Sequence, residues 1–428
     1  MPSSINLLDE LAWRGMLYQQ TEGAAEALAT GALSAYCGFD PTADSLHVGN
    51  LVPVMGLVHL QRAGHRPVAL VGGGTGMIGD PSGKFAERQL TSRETVIEHG
   101  RRIGAQLERF LDFSGPRGAL MRDNADWLLS LGAVEFMRDV GKHFTVNFML
   151  AKESVRSRME TGISYTEFSY MLLQAYDFVE LCRRDGVTLQ IGGSDQWGNI
   201  TAGTELVHRT LGRQAHGVTL PLVTTAAGTK FGKTEAGAVW LDPEKTTPYG
   251  FYQFWVNVDD RDVSRYLRLF TLFERDEIEG LERAAAQHPE RREAQQSLAS
   301  DVTSRVHGEE AARVSREISA LLFGGADPST LGEAAFAALR REMPFAEVAA
   351  APSDAPGLDP LDLLVAAGLV ASRGAAKRLL EQGGVYVNGR RVGGADRFVG
   401  GGQLLAGRHV LLRKGAREYA LVKVGDAA

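Results

Sequence analysis

The sequence predicts an α/β fold with a parallel sheet, continued by a mostly helical stretch and a small α+β module at its end. Three observations carry this. Short apolar runs end in glycine, as in "RPVALVGGG" (66–74) and "VTLQIGG" (187–193), and helical patterns lie between them. Such alternation of strand and helix is the signature of a parallel sheet with its site at the strands' carboxyl ends. Finally, the pattern becomes helical beyond residue 248 and changes again after a stretch of small residues and prolines, "AAAPSDAPG" (349–357).

The elements follow in order. Residues 31–39 are short and apolar enough for a buried strand, and Asp40-Pro41 is a turn signal that stops it. A helix is predicted from about 47 to 63, opening on His47-Val-Gly-Asn50. Its N-terminus would expose unpaired N–H groups and a positive dipole end where a nucleotide's phosphates can sit, with Gly49 allowing close approach to the backbone. Residues 66–74 and 187–193 are strands ending in glycine turns. Between them, "YTEFSYMLLQAYDFVELC" (165–182) reads as a helix with a polar stripe, Tyr170, Gln174 and Asp177, on one face of about two turns. A buried Asp there must be satisfied by protein or ligand. Helices continue from 248 to about 322. The 349–357 stretch reads as a linker, followed by two short helices, a glycine break and a hairpin carrying "VNGR".

At 428 residues the chain is long enough for two or three domains. No apolar run is long enough to span a membrane, and Asp9 and Glu10 stand where a signal peptide would be basic and then greasy. Two cysteines, Cys37 and Cys182, make neither a disulfide framework nor a metal cluster, which suits a reducing cytoplasm. The net charge of −6 is uneven: residues 371–428 hold 11 Lys and Arg against 4 Asp and Glu, a net of +7, leaving −13 on the first 370. A basic tail on an acidic body points to a polyanionic partner, although a solvated surface has the same composition.

Two glycine-rich motifs compete as nucleotide signals. "GTGMIG" (74–79) matches the dinucleotide fingerprint, but that motif needs a helix beginning at its third glycine, and "DPSGK" follows instead. "GDPSGKF" is no P-loop, since Ile78 replaces the first glycine and Phe85 stands where a magnesium-binding Ser or Thr belongs. "GTKFGKTE" (228–235) sets Lys230 and Lys233 three residues apart on a glycine-flanked loop. Two such cations can close over a polyphosphate in a transition state, although taken alone the loop also reads as a solvated charged turn.

Together, "HVGN" and "KFGKT" resemble the two signature motifs of the class I aminoacyl-tRNA synthetases, in the order and spacing of the bacterial tyrosyl enzymes. "GDPSGK", "QAYDF", "GGSDQWGNI" and the basic tail extend the resemblance over nearly the whole chain. Asn50 departs from it, standing where many members have a second histidine; its amide can still donate a hydrogen bond. The resemblance implies a Rossmann-like catalytic domain over 1–245 with the tyrosine and ATP site, a helical domain over 246–348, a linker over 349–357 and an α-L type RNA-binding domain over 358–428. It implies that Tyr36 and Asp177 hold a phenolic hydroxyl, that Asp80, Tyr170 and Gln174 hold an ammonium group, and that Gln190 and Gln196 complete the amino-acid side. For ATP it implies Cys37, Gly38, Asp40, Gly49, Gly193 and Asp195, with Thr42, His47 and Asn50 at the phosphates. Lys84, Arg88, Lys230, Lys233 and Thr234 would surround the departing pyrophosphate.

On this resemblance the expected partners are L-tyrosine, ATP with Mg2+ as a substrate complex, and tRNA(Tyr), with a cytoplasmic homodimer, no membrane, no resident metal and no tightly bound cofactor. RNA contacts fall to Arg373, Lys377, Arg378, Arg390, Arg391, Arg413, Lys414 and Arg417 in the tail, since structured RNA is read largely by shape and phosphates. The nearest rival is a tryptophanyl enzyme, whose indole N–H would need one acceptor and more room than Tyr36 and Asp177 leave. A non-catalytic RNA-binding protein on the same scaffold would show damaged motifs, and here the motif residues are present.

Overall fold

The computed structural model describes residues 6–82, 91–156, 158–159, 162–234, 237–351, 356–393 and 398–425, without the side chains of Ser154, Lys233 and Thr234. By its contacts the chain forms two compact units, Met1–Lys245 with Val258–Leu298, and Thr246–Asn257 with Ala299–Ala428.

In the first unit, β1 (Gln19–Gln20), β2 (Ser34–Phe39), β3 (Arg66–Val71), β4 (Leu120–Asp123), β5 (Val187–Gly193) and β6 (His216–Leu220) form one sheet in the order β1-β6-β5-β2-β3-β4. Its neighbours are parallel except β1, which runs antiparallel to β6. The apolar runs of β3 and β6 are buried almost throughout because the strands lie inside the layer, as parallel strands do. The chain passes outward from β2 to β3 and β4, and on the other side lie β5 and β6. The order therefore reverses between β2 and β5, and a crevice opens at the carboxyl ends of those two strands. A two-stranded ribbon, β7 (Lys233–Thr234) and β8 (Gly237–Ala238), follows the sheet.

The helix predicted from 47 is split: a single 3-10 turn, Val48–Asn50, precedes the helix Leu51–Arg62. The turn is imposed by its own side chains, as described below. The 165–182 pattern is realised as Tyr165–Asp185, capped by Ser164 and closed by Gly186 in the left-handed region. "GTGMIG" forms a short 3-10 turn, Thr75–Met77, and Gly79 lies at φ 86, so no long helix starts at the third glycine.

Residues 258–298 pack with this sheet unit rather than with the later helices. Arg14 explains part of it. Its buried guanidinium donates to the carbonyls of Arg268 (3.1 Å), Thr271 (2.9 Å) and Phe273 (2.8 Å), and pairs with Glu10 at 2.6 Å. It thus satisfies carbonyls at and beyond the end of the helix Asp260–Phe270, groups that a helix terminus leaves open.

In the second unit the helices Glu309–Gly324 and Glu333–Glu342 lead into β9 (Phe345–Val348), and β10 (Val385–Val387), β11 (Arg390–Arg391), β12 (His409–Lys414) and β13 (Glu418–Val424) complete a sheet in the order β11-β10-β12-β13-β9. Alternating residues divide between its faces. Val410, Leu412 and Val422 share a core with Leu361 and Leu364 of the short tail helices, while Leu411 and Leu421 share one with Ile318, Phe336 and Leu339. The expected "VNGR" hairpin is present, turned by Asn388 (φ 48) and Gly389 (φ 80), as a two-residue turn with both central φ angles positive requires.

This two-part division departs from the boundaries drawn from sequence. The helical stretch is shared between the units, and the tail's sheet takes in β9, which pairs parallel with β13 across the 349–357 stretch. Four residues, "FAEV", three half-buried and one exposed, are too few to reveal β9 by periodicity.

Candidate active site

A cavity of about 800 Å³ opens at the carboxyl ends of β2 and β5. Its lining gathers the amino-acid residues named from sequence, Tyr36, Asp80, Tyr170, Gln174, Asp177, Gln190 and Gln196, together with the nucleotide residues Cys37, Gly38, Asp40, Thr42, His47, Gly49, Asn50, Gly193, Asp195 and Lys230. Each arrives for a simple reason. Strand ends supply Tyr36 to Phe39 and Gln190 to Gly193, the helix Tyr165–Asp185 supplies its polar stripe, and turns supply the rest. Lys84 and Arg88 lie outside the described residues, as do the side chains of Lys233 and Thr234.

Asp177 forms the cavity's most constrained point. It is 2 % exposed, and its carboxylate accepts from Asn124 Nδ2 at 2.9 Å and Trp127 Nε1 at 2.7 Å. Burial pushes its pKa up to about 8, and the two donors only partly offset that. Tyr36 Oη and Gln190 Oε1 are buried in the same lining with no hydrogen-bond partner among the described residues. Orphaned buried polar atoms facing a cavity are positions for a ligand's own polar atoms. Burial also raises the Tyr36 phenol well above its ordinary value, with the Asp177 charge adding to it, so Tyr36 is a neutral hydroxyl.

The other two stripe residues face a separate set of partners. Tyr170 Oη donates to Asp40 Oδ2 at 2.8 Å, and Asp40 Oδ1 accepts from Thr75 Oγ1 at 2.7 Å. Gln174 Oε1 accepts from Asn199 Nδ2 at 3.0 Å. Asp80 accepts from the Ser82 amide at 2.8 Å and from Gln196 Nε2 at 2.6 Å. The cavity floor is therefore rich in acceptors. Gly72 makes the packing around Asp40 possible, because a Cβ there would stand 2.1 Å from Asp40 Oδ1.

The signature turn is built by its own histidine and asparagine. His47 Nδ1 accepts from the Gly49 amide at 3.0 Å, and Asn50 Oδ1 accepts from the His47 amide at 3.0 Å, a reciprocal capping arrangement. Asn50 thus uses its oxygen within the turn and keeps its amide nitrogen as a donor. Gly49 serves the histidine more directly than any ligand: a Cβ there would lie 2.8 Å from the imidazole Cε1. Burial drives the Cys37 thiol up to about 12, so it packs as an uncharged side chain.

Sequence reasoning missed Asn124, Trp127 and Thr75. The signal was available in "RDNADW", since Asn124 follows directly on β4, at the carboxyl end of a parallel strand, where such sites form. In the tail, Lys377, Arg378, Arg390 and Arg417 are exposed. Arg373 instead pairs with Asp359 and Asp362, Lys414 with Glu418, and Arg391 donates to the Gly383 carbonyl. Arg413 lies 3.9 Å from the Tyr386 ring centroid and 5.9 Å from that of Tyr419.

A parallel sheet with a capped His-Val-Gly-Asn turn and an opposing lysine at one crevice defines an enzyme that handles a nucleotide's phosphates, and the comparisons identify its kind. Residues 28–324 match the family model for class I tRNA synthetases (W and Y), and the chain belongs to that family. Residues 336–422 match the C-terminal domain of SYY-like tyrosine–tRNA ligases. The relatives are more particular still: a tyrosine–tRNA ligase from Anaeromyxobacter dehalogenans (strain 2CP-C) is 54% identical over 98% of this chain and 99% of its own length. One from Roseiflexus castenholzii is 52% identical over 98% and 99%. Among solved structures, a C-terminally truncated mitochondrial tyrosyl-tRNA synthetase from Coccidioides posadasii aligns with a TM-score of 0.65 at 30% identity, covering 74% of this chain and 92% of that one.

The raised pKa of Asp177 has a measurable consequence. Between its ordinary 3.8 and about 8 the folded chain binds this proton more tightly than the unfolded chain. Its contribution to stability is therefore complete below the lower value and is lost as pH rises through the upper one. Urea unfolding of the ligand-free protein from pH 5 to 9 should show this loss, and an Asp177→Asn variant should lack that part of the pH dependence. Identical pH slopes in both proteins would refute the assignment.

Proposed function

We propose that this chain is a tyrosine–tRNA ligase that activates L-tyrosine with ATP and then esterifies the 3′-terminal adenosine of tRNA(Tyr). The observation that carries it is the pairing of Tyr36 and Asp177 at one end of the cavity. A phenol brings one donor and an acceptor. Asp177 has both oxygens engaged by Asn124 and Trp127, yet each oxygen retains capacity for a further contact, and Tyr36 Oη awaits one. Phenylalanine would leave Tyr36 Oη unpaired and deny Asp177 a further donor, and a site built to hydrogen-bond a hydroxyl rejects the analogue that lacks it. An indole N–H would satisfy only one of them.

The rest of the substrate orders itself from this anchor. The ammonium group meets Asp80, Tyr170 and Gln174, acceptors that suit its three N–H donors. Tyrosine's carboxylate, already ionised at neutral pH, attacks the α-phosphorus. A new P–O bond forms, the bond to the β-phosphate breaks, and pyrophosphate leaves with its electron pair. No general base is needed. Positioning and charge stabilisation are, and these fall to Thr42, His47, Asn50, Lys230, Lys233 and Thr234, with Lys84 and Arg88 nearby. Gly193 and Asp195 take the ribose, beside Cys37, Gly38, Asp40 and Gly49. Magnesium enters with ATP and belongs to the substrate. In the second step a ribose hydroxyl of the terminal adenosine attacks the tyrosyl carbonyl, and AMP leaves.

The tail supplies the tRNA contact. Besides exposed Lys377, Arg378, Arg390 and Arg417, one sheet row sets Arg391, Tyr386, Arg413 and Tyr419 opposite one another across four strands, so cations alternate with aromatic rings. Arg373 and Lys414 reach RNA only by exchanging their carboxylate partners. The chain works as a homodimer: Val134, Met137, Val146, Met159 and Tyr165 leave large apolar groups exposed in the segment between β4 and β5, a concentration that marks a partner surface. We place the reaction in the cytoplasm; no helix among the described residues is long and apolar enough to cross a membrane.

Three outcomes follow. Purified protein should catalyse ATP–pyrophosphate exchange with tyrosine and not with phenylalanine or tryptophan, and Tyr36→Phe should raise the KM for tyrosine about 10-fold by removing one buried hydrogen bond; exchange driven by tryptophan would overturn the reading. Lys377→Glu with Arg378→Glu should leave exchange intact and raise the KM for tRNA in aminoacylation, whereas unchanged charging would remove these residues from the interface. Truncation is a poorer test, since cutting at 357 would uncover Phe336 and leave β9 without β13. Tyr165→Asp should sediment as a monomer; an unaltered dimer would place the interface elsewhere.

A further inference from the structure

We infer that the helix Asp260–Phe270 positions Lys230 for adenylate formation, with Asp262 and the aromatic pair Tyr266 and Phe270 as positioning residues that never touch substrate. The inference rests on the tyrosine-activation reading above. Asp262, Tyr266 and Phe270 are spaced four residues apart and so form one stripe along the helix. The segment that carries Lys230 rests on that stripe at two points. At its near end, the Ala226 amide donates to Asp262 Oδ2 at 2.9 Å, and Asp262 is 6 % exposed. At its far end, Phe231 is 4 % exposed, with its ring stacked on Phe270 (centroids 5.1 Å, 20°) and edge-on to Tyr266 (4.9 Å, 62°).

Between these two anchors the chain makes a tight turn. The Gly228 amide donates to the Thr225 carbonyl at 2.8 Å, the Thr225 amide to the Thr229 carbonyl at 2.9 Å, and Thr224 bridges to Lys230. Arg265 adds a contact to the Thr224 carbonyl at 3.4 Å. Lys230 is therefore one residue from a buried ring and four from a hydrogen-bonded amide, with little slack between. Its own side chain is exposed and lines the cavity.

The opposite side is closed too. Gly232 lies at φ 79, and a Cβ there would stand 2.5 Å from Val48 Cγ2, within the signature turn. The Val239 amide donates to the Gly232 carbonyl at 3.1 Å, and the Val48 amide to the Val239 carbonyl at 2.9 Å. The lysine segment is thus seated between the His47 turn and one helix face. A helix face is a rigid reference, and a reacting group misplaced by about 1 Å can cost on the order of 10²-fold in rate.

The test is tyrosine-dependent pyrophosphate exchange and the reverse reaction, from adenylate and pyrophosphate, in wild type, Asp262→Ala, Asp262→Asn and Phe231→Leu. Asp262→Ala should lower kcat by about 10- to 100-fold while the KM for tyrosine stays within about twofold, because the lysine's phosphate contact is disturbed and the tyrosine pocket is not. The KM for pyrophosphate in the reverse direction should rise. Asp262→Asn keeps a carbonyl oxygen for the Ala226 amide and should recover most of the rate, and Phe231→Leu should repeat the kcat loss with an unchanged thermal midpoint. A wild-type kcat in Asp262→Ala, or losses in tyrosine KM and thermal midpoint that run in parallel with kcat in both Asp262→Asn and Phe231→Leu, overturns the inference alone. Wild-type protein lacking exchange overturns the activity reading and the inference with it.

Discussion

A carboxylate kept out of water must be held by donors, and Asp177 shows how much of the molecule that one requirement engages. Its two donors, Asn124 and Trp127, follow β4 at the edge of the sheet, while Asp177 itself is two-thirds of the way along a helix of 21 residues. Asn124 also donates to Thr75 Oγ1 at 2.9 Å and accepts from the Gly74 amide at 2.7 Å, and Thr75 donates onward to Asp40, which holds Tyr170. A single polar network therefore runs along the cavity from Asp177 through Asn124, Thr75 and Asp40 to Tyr170. Networks of this sort are costly when half satisfied and rigid when complete. Among the described residues of the lining, Tyr36 Oη, Gln190 Oε1 and Ser82 Oγ are left without partners, and on the proposed reading the first two are atoms that a substrate would finish.

The second signature segment depends on the first through contact rather than through sequence proximity. Val48 occupies the space that any side chain at 232 would need, and the His47 imidazole occupies the space above Gly49. Each glycine is thus set by a neighbour's bulk. His47 and Lys230 approach the same volume from different parts of the chain because their backbones can come that close, and larger residues at 49 or 232 would separate the two groups as surely as their own removal would.

The parts of this design that were legible in the sequence are those written in local periodicity. Tyr170, Gln174 and Asp177 declare a polar helix face by spacing alone, and "VNGR" declares its hairpin by turn chemistry. The strands 66–71 and 187–193 are announced by apolar runs ending in glycine. What was not legible depends on residues distant in the chain. Nothing in "ADW" says that Trp127 faces a carboxylate 50 residues on, and nothing in "FAEV" says that it pairs with residues 76 positions later. The tail illustrates the same limit for charge: Arg373 counts toward a basic surface in composition, yet Asp359 and Asp362 take it up in the fold.

Charge distribution then decides how the two substrates face each other. The cavity lining carries Asp80, whose oxygens suit an ammonium group better than a triphosphate. The same lining carries His47, donor-bearing Asn50 and Lys230, which suit phosphate oxygens. In the proposed reading, an amino acid held by its phenol at Tyr36 and by its ammonium group at Asp80 turns its own carboxylate toward His47, Asn50 and Lys230. ATP whose β- and γ-phosphates are held by those residues, as proposed, presents its α-phosphorus to that carboxylate. On this reading the two sets of groups favour the mutual orientation in which attack is in line, and the proposed first step needs no group that itself exchanges a proton.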